Sequence, residues 1–286
     1  MMKSQTILEA RELTKFYHDN KAVDHLNLEI KRGEVFGFLG PNGAGKTTTI
    51  LMILGLTEPT SGSVYVMGYN STREPLEVKR VTSYLPENVG FYEDMTAREN
   101  LSLITRLNSL PEKDSQESIE EVLRLIGLEE VKDNEVRTFS KGMKQRLGIG
   151  TIFVKKPKLA ILDEPTSGID PQGVRDILDL ITKMNKEENI TIFLCSHLLY
   201  QIQEICNTIG IFSRGKMVAT GSLEKISQAI LGDQNKRLEI SYNKKTNIDT
   251  LMKKIEGLEG VLKVEKSMQD ISLERIYSKY FREESL

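Results

Sequence analysis

The sequence predicts an α/β protein with a mostly parallel central sheet, and three observations carry that expectation. Apolar runs of strand length recur at Val35–Leu39, Leu159–Leu162 and Ile190–Leu194. Helical patterning stands between the last two, with Val174, Ile177, Leu178, Ile181 and Met184 on one face. The 286 residues are 39% apolar, enough for a sizeable packed core. Strands that alternate with helices of this length make parallel sheets.

In chain order, the first seventy residues read as short strands joined by turns. Ile7–Leu13 and Ala22–Ile30 alternate apolar and polar positions, as half-buried strands do. Val35–Leu39 is continuously apolar and bounded by glycine, which suits a fully buried strand. Thr47–Leu56 has helical length and ends near Gly55 and Pro59. From roughly 94 to 155 the period is helical. There Ser118-Ile119-Glu120-Glu121 reads as a capping box, and Ile119, Val122, Leu123 and Ile126 form a stripe closed by Gly127. After about Ser227 the pattern predicts a small βαβα unit: strands at Arg237–Tyr242 and Val261–Val264, helices at Asp249–Ile255 and Ile271–Phe281.

Charge and cysteine content exclude several classes. Thirty-nine basic residues against 41 acidic ones give a net charge of −2, without the basic excess of a nucleic-acid binder. The longest apolar run, Ile50–Leu56, is far short of the ~18 residues that cross a bilayer. The first residues carry no apolar signal-peptide segment. Two cysteines, Cys195 and Cys206, make no disulfide framework and fit a reducing compartment. The expectation is a soluble intracellular protein.

The most informative stretch is Gly40-Pro41-Asn42-Gly43-Ala44-Gly45-Lys46-Thr47, followed by Thr48, between a buried strand and a helix. It satisfies G-x-x-x-x-G-K-[ST], the loop that cradles nucleotide phosphates. Gly43 and Gly45 permit positive φ, so that successive N–H groups, with those of Asn42 and Ala44, converge on a phosphate. The helix that follows adds its unsatisfied donors and the positive end of its dipole. Lys46 supplies charge to the β- and γ-phosphates, and the Thr47 hydroxyl is the expected Mg²⁺ ligand. The strand Leu159–Leu162 ends in Asp163-Glu164, at the edge where α/β sheets bind ligands. Asp163 is placed to hold Mg²⁺. Glu164, pointing elsewhere by strand alternation, is free to orient or deprotonate a water. Three histidines and two cysteines offer no metal-ligand spacing, so oxygen-held Mg²⁺ is the expected ion.

From these motifs the chain resembles the ATP-binding subunits of ATP-binding cassette (ABC) transporters over about Ile7–Ile226. Phe139-Ser140-Lys141-Gly142-Met143-Lys144-Gln145-Arg146 is similar to the family signature, LSGGQ. Asp163 to Pro171 resembles the second carboxylate motif and D-loop. Ser196-His197 matches the switch histidine, Tyr17 the aromatic on which adenine stacks, and Tyr84-Leu85-Pro86-Glu87 the Q-loop. The resemblance implies a P-loop NTPase core of the ABC type, with an N-terminal antiparallel β subdomain, a helical subdomain (about 88–155) and a small C-terminal α+β extension. The cassette would span 1–228 and the extension 229–286.

The resemblance further implies a dimer with ATP sandwiched between the phosphate loop of one subunit and the signature of the other. Ser140 and the Gly142 backbone would contact the γ-phosphate across the interface, Asp170 would cross it, and His197 would contact the γ-phosphate in its own subunit. Glu164 and His197, with Lys46, would be catalytic. Glu87, in place of the usual Gln, would reach Mg²⁺ with Thr47 and Asp163. Lys141 departs from the signature and is expected to add positive charge near the partner's γ-phosphate. The Glu87 and Lys141 departures resemble the branch with ABC-2-type permeases. The implied protein is a Mg²⁺-dependent ATPase that energises a separate permease, an exporter by branch, peripheral on the inner face of the cell membrane. Its partners would be that permease and a second ATPase subunit, a homodimer being expected, with no nucleic acid. A soluble ABC ATPase acting without a permease is the alternative. Val89, Phe91 and Tyr92 either meet the permease or pack inside the helical subdomain, and the extension could regulate, dimerise or only pack.

Overall fold

The computed structural model describes residues 6–223, 225–226 and 248–257. The chain divides into two compact units, Met1–Leu223 and Glu224–Leu286. In the first, β1 (Thr6–Tyr17) and β2 (Asn20–Lys31) pair antiparallel, each longer than the alternation alone suggested. β1 also pairs β4 (Ser61–Val66), which turns into β5 (Tyr69–Asn70), giving a four-stranded antiparallel sheet in the order β2-β1-β4-β5. The β4–β5 turn is Met67-Gly68, both at positive φ (53° and 88°). That is the backbone a two-residue hairpin requires, although methionine advertises it poorly.

The second sheet has six strands in the order β10-β9-β3-β8-β7-β6. They are β3 (Val35–Leu39), β6 (Thr82–Leu85), β7 (Leu159–Asp163), β8 (Thr191–Ser196), β9 (Thr208–Ser213) and β10 (Lys216–Gly221). All pairings are parallel except the β9–β10 hairpin. Every residue of β3, β7 and β8 is buried, as expected where both faces are covered. One core joins the two sheets through Ile7, Leu8, Val64, Phe36, Phe38, Ile161 and Phe193. Within it Phe38 and Phe212 pack at 4.7 Å between ring centroids.

Helix α1 (Lys46–Ile53) follows the phosphate loop and stops earlier than its apolar run. Leu56 N–H bonds to Leu51 O and Gly55 N–H to Met52 O, a Schellman closure with Gly55 at φ 65°. Helix α2 (Pro75–Val81) leads into β6. The helical subdomain comprises α3 (Ala97–Leu107), α4 (Glu112–Leu125) and α5 (Lys141–Lys155). Its capping box lies at Thr96 and Glu99: Thr96 Oγ1 accepts Glu99 N–H at 3.2 Å, and Glu99 Oε2 accepts Thr96 N–H at 2.7 Å. The box expected at Ser118 is absent, because α4 already starts behind Pro111 and Ser118 lies inside it. Nothing between Pro111 and Ser118 breaks a helix, so the S-x-x-E pattern there is interior sequence. The stripe Ile119, Val122, Leu123 and Ile126 is buried, and Gly127 (φ 66°) closes the helix by the same Schellman bonds.

Helix α6 (Pro171–Lys186) buries all five of its predicted apolar positions. Helix α7 (Leu199–Ile205) lies on β3, where Gly37 admits it: a Cβ there would sit 2.7 Å from Ile202 Cγ2 and 2.9 Å from Cys206 Sγ. In the second unit, α8 (Ile248–Glu256) covers the helix expected at Asp249–Ile255. The strands expected at 237–242 and 261–264 and the helix at 271–281 lie outside the described residues. The close approach of α7 to β3 has a consequence: Gly37→Ala overpacks the seam and should cost about 1–3 kcal/mol. A urea unfolding midpoint that falls with an unchanged slope would show it; an unchanged midpoint would refute the tight packing.

Candidate active site

Three strand ends meet at one edge of the parallel sheet. Register pairs Leu39 of β3 with Ser196 of β8, and Cys195 of β8 with Asp163 of β7. The loop after β3, the Asp163-Glu164 pair after β7 and the Ser196-His197 turn after β8 are therefore neighbours.

The phosphate loop is held by its surroundings. Gly45 has φ 103°, and a Cβ there would collide with the Ala22 carbonyl of β2. Gly43 has φ 79° with open space above it. Gly215 N–H bonds to Ala44 O at 2.9 Å and Asp24 N–H to Gly215 O at 2.8 Å, so the β9–β10 turn braces the loop against β2. Asn42 is exposed, Ala44 buried, and Thr48 partly buried in the first turn of α1. Lys46 is 7% exposed and curls over its own loop, its Nζ donating to Gly40 O at 2.7 Å and Pro41 O at 3.1 Å.

The two acids are buried and differently employed. Asp163 Oδ2 accepts from Thr47 Oγ1 and from Tyr84 Oη, each at 3.4 Å. Burial, then the charge of Asp163, pushes the Tyr84 hydroxyl well above its usual range, so it stays a donor. Tyr84 is a site residue that sequence reasoning noted only as part of the Q-loop; its role follows from β6 lying beside β7. Glu164 N–H still donates to Cys195 O of β8 at 2.9 Å, but its φ of 48° departs from strand geometry, so a left-handed turn, not strand alternation, aims its side chain. Its Oε1 lies 2.9 Å from His197 Nδ1 and 3.9 Å from Lys46 Nζ, yet accepts no hydrogen bond. Its Oε2 lies 3.4 Å from Ser196 Oγ.

The remaining expected residues sit around this cluster. Glu87 accepts from Ser167 Oγ at 3.1 Å, tying the Q-loop to the D-loop, and its charge reaches Tyr84. Tyr17 ends β1, 44% exposed, with Lys15 Nζ 5.1 Å from its ring centroid. Ser140 N-caps α5, accepting from Met143 N–H at 3.2 Å, and a Cβ on Gly142 would meet only Ser140 Oγ, at 4.0 Å. Asp170 N-caps α6; N–H donation from Gly173 and Gln172 holds its carboxyl below the usual range. Among the described residues, no hydrogen bond or ion pair links Ser140, Gly142 or Asp170 to the phosphate loop. Lys141 lies over Gly168 of its own D-loop.

The donor set suits a small hard cation completed by phosphate oxygens. Thr47 Oγ1 and Asp163 Oδ2 are oxygens brought together from loop and strand, and magnesium is typically held by one or two carboxylates plus substrate phosphates. Among the described residues, no group of three or more His, Cys, Asp or Glu gathers to hold a metal alone.

The family model for "ABC transporter" matches residues 23–167, just over half of the chain and inclusive of the phosphate loop, the signature and both acids. The chain belongs to that family. This ABC ATPase is 43% identical over 238 residues to the bacitracin transport ATP-binding protein BcrA of Bacillus licheniformis, covering 81% of this chain and 77% of BcrA. It is 37% identical over 235 residues to the linearmycin resistance ATP-binding protein LnrL of Bacillus subtilis (strain 168), covering 82% and 75%. Among solved structures, an ATP-binding subunit of an ABC transporter superposes with a TM-score of 0.73 at 30% identity, covering 87% of this chain and 99% of its own. The ABC ATPase fold, with its antiparallel β and helical subdomains, is the one expected from the motifs. The chain binds and hydrolyses ATP as the energy-coupling subunit of a membrane transporter. Among the described residues no helix is long and apolar enough to cross a membrane.

Because Gly45 combines a left-handed backbone with contact against Ala22, Gly45→Ala should displace the loop, at a strain of about 1–3 kcal/mol. ATP affinity by calorimetry should fall at least about tenfold, and an unchanged affinity would show that the loop tolerates the shift.

Proposed function

We propose that this ABC ATPase forms a nucleotide-sandwich homodimer on the cytoplasmic face of the cell membrane and drives export through a separate ABC-2-type permease. The single observation that carries the catalytic assignment is Glu164 Oε1: buried, without a hydrogen bond, and set between His197 and Lys46. A buried acceptor left open costs about 1–3 kcal/mol, which a water donating its proton there would offset.

In this reading Lys46 turns its ammonium from the Gly40 and Pro41 carbonyls onto the β- and γ-phosphates, and Asn42 to Thr48 supply backbone and helix-terminal donors. Thr47, Asp163 and Glu87 would hold a magnesium ion, whose charge would offset that of the phosphates. Tyr17 stacks on adenine. Glu164 accepts the water's proton as the water oxygen bonds to the γ-phosphorus and the bond to the ADP oxygen breaks; the proton then leaves with phosphate. With Nδ1 toward Glu164, His197 leaves Nε2 for the γ-phosphate. Ser140, Gly142 and Asp170 act across the dimer, which the separation of these groups from their own phosphate loop supports. Lys141 would have to lift from Gly168 to reach the partner's phosphate.

For the permease, the three apolar residues after the Q-loop divide. Val89 packs on Gly148 of α5, whereas Tyr92 is 64% exposed on a backbone pinned by buried Asn100. Tyr92, with Phe91, is the contact we assign to the permease. The names of BcrA and LnrL, one in bacitracin transport and one in linearmycin resistance, support export of a toxic compound. We assign the cassette to 1–228 and an accessory extension to 229–286.

Glu164→Gln should keep ATP binding but lower turnover by about 10²–10⁴-fold, the usual worth of a general base. Wild-type turnover would remove Glu164 from that role. Phe91→Ala with Tyr92→Ala should weaken co-purification of the permease while ATP affinity holds. An undisturbed complex, or capture of soluble partners alone by ATP-loaded Glu164→Gln, would count against the permease reading.

A further inference from the structure

One buried polar side chain outside the nucleotide cluster is tied directly to it. Gln201, the third residue of α7, is fully buried, as is Ser196 at the end of β8. Ser196 Oγ lies 3.2 Å from Gln201 Oε1 and 3.4 Å from Glu164 Oε2, and accepts Leu198 N–H at 3.0 Å. The hydroxyl has one proton and two acceptors, so Gln201, Ser196 and Glu164 form one coupled unit.

We propose that Gln201 is a positioning residue for ATP hydrolysis, fixing the Ser196 hydroxyl beside the inner oxygen of Glu164 so that the outer oxygen is aimed at the reacting water. This rests on the reading of Glu164 as the group that accepts the water's proton.

The geometry of Glu164 makes such a brace necessary. Its backbone is in the left-handed region, at φ 48°, and although Glu164 N–H still donates to Cys195 O of β8 at 2.9 Å, that bond holds the main chain and leaves the carboxylate's direction to its own contacts. Only Oε2 faces a hydroxyl; Oε1 accepts no hydrogen bond and has His197 and Lys46 nearby. The carboxylate thus has an inner anchor and an outer working oxygen, and its aim depends on where the anchor stands. Gln201 Oε1, the nearer acceptor, competes with Glu164 Oε2 for the single Ser196 proton and so limits where the hydroxyl turns. The same unit sets the turn that carries His197, since Leu198 N–H, the donor on the far side of that histidine, ends on Ser196 Oγ.

The test uses the full-length chain with Mg-ATP. Gln201→Met keeps volume and removes the amide. It should lower kcat about tenfold, the scale expected when a reacting group loses its alignment, while ATP affinity stays within about twofold and Tm within a few degrees. In the Glu164→Gln background the same change should have no further effect in single-turnover assays, because the brace acts only through that carboxylate. An unchanged kcat, or an equal loss in the Glu164→Gln background, overturns the proposal. If Gln201→Met does not fold, Ser196→Ala decides: a loss confined to kcat supports the brace, and wild-type kcat overturns it. Failure of the underlying reading looks different, since Glu164→Gln alone would then keep wild-type turnover.

Discussion

β8 lies between β3 and β7, and the parallel pairing of these three strands is the constraint from which the active site follows. Parallel strands put all their C-terminal ends at one edge, so the segments that leave them, far apart in sequence, must share a small volume. Lys46, Asp163, Glu164, Ser196 and His197 come together because Leu39 pairs with Ser196 and Asp163 with Cys195. A one-residue slip in either pairing would turn the carriers of these groups to the opposite face of the sheet.

Around that edge, the charges are arranged by what can be buried. Lys46 is almost fully enclosed and is satisfied by loop carbonyls, with Glu164 Oε1 3.9 Å from its Nζ. Asp163 is satisfied by two hydroxyls, and Tyr84 remains a donor because burial and the neighbouring carboxylate both disfavour its anion. Glu164 Oε1, between His197 and Lys46, is left without a hydrogen bond and would gain one from a water. The left-handed turn at Glu164 and the bracing of the phosphate loop by Gly215 and Ala22 serve the same end: the loop backbone and the carboxylate are set before the phosphates arrive, and Lys46 is the group that turns.

The helical subdomain connects this edge to the exposed surface through polar contacts. Glu93 pairs with Lys144 of the signature helix at 2.6 Å, and Glu87 bonds to Ser167 of the D-loop. Tyr92 stands between these two contacts in the chain and shows its ring to solvent. A displacement of the segment 87–93 would therefore be felt at both the signature and the D-loop.

The sequence by itself determined the identity of the chemistry. The spacing of Gly40, Gly45, Lys46 and Thr47, the strand ending in Asp163-Glu164 and the motif order carried the nucleotide reading, because those demands are local: a turn that only glycine makes, a strand and the helix it feeds. Local patterning also found the buried strands and the stripes of α4 and α6. It failed where a pattern had two physical meanings, as at Ser118, where an interior helical S-x-x-E mimics a cap. It did not find β6 and β10, which are short or polar-rich, or β9, although Ile209–Phe212 is a readable apolar run. Tertiary structure alone decided how Glu164 is aimed, that Tyr84 serves Asp163, that Glu87 reaches Ser167, and that Gln201 stands behind Ser196. Each of these depends on which strand lies beside which, and strand order in a parallel sheet is set by long-range packing that no local pattern records.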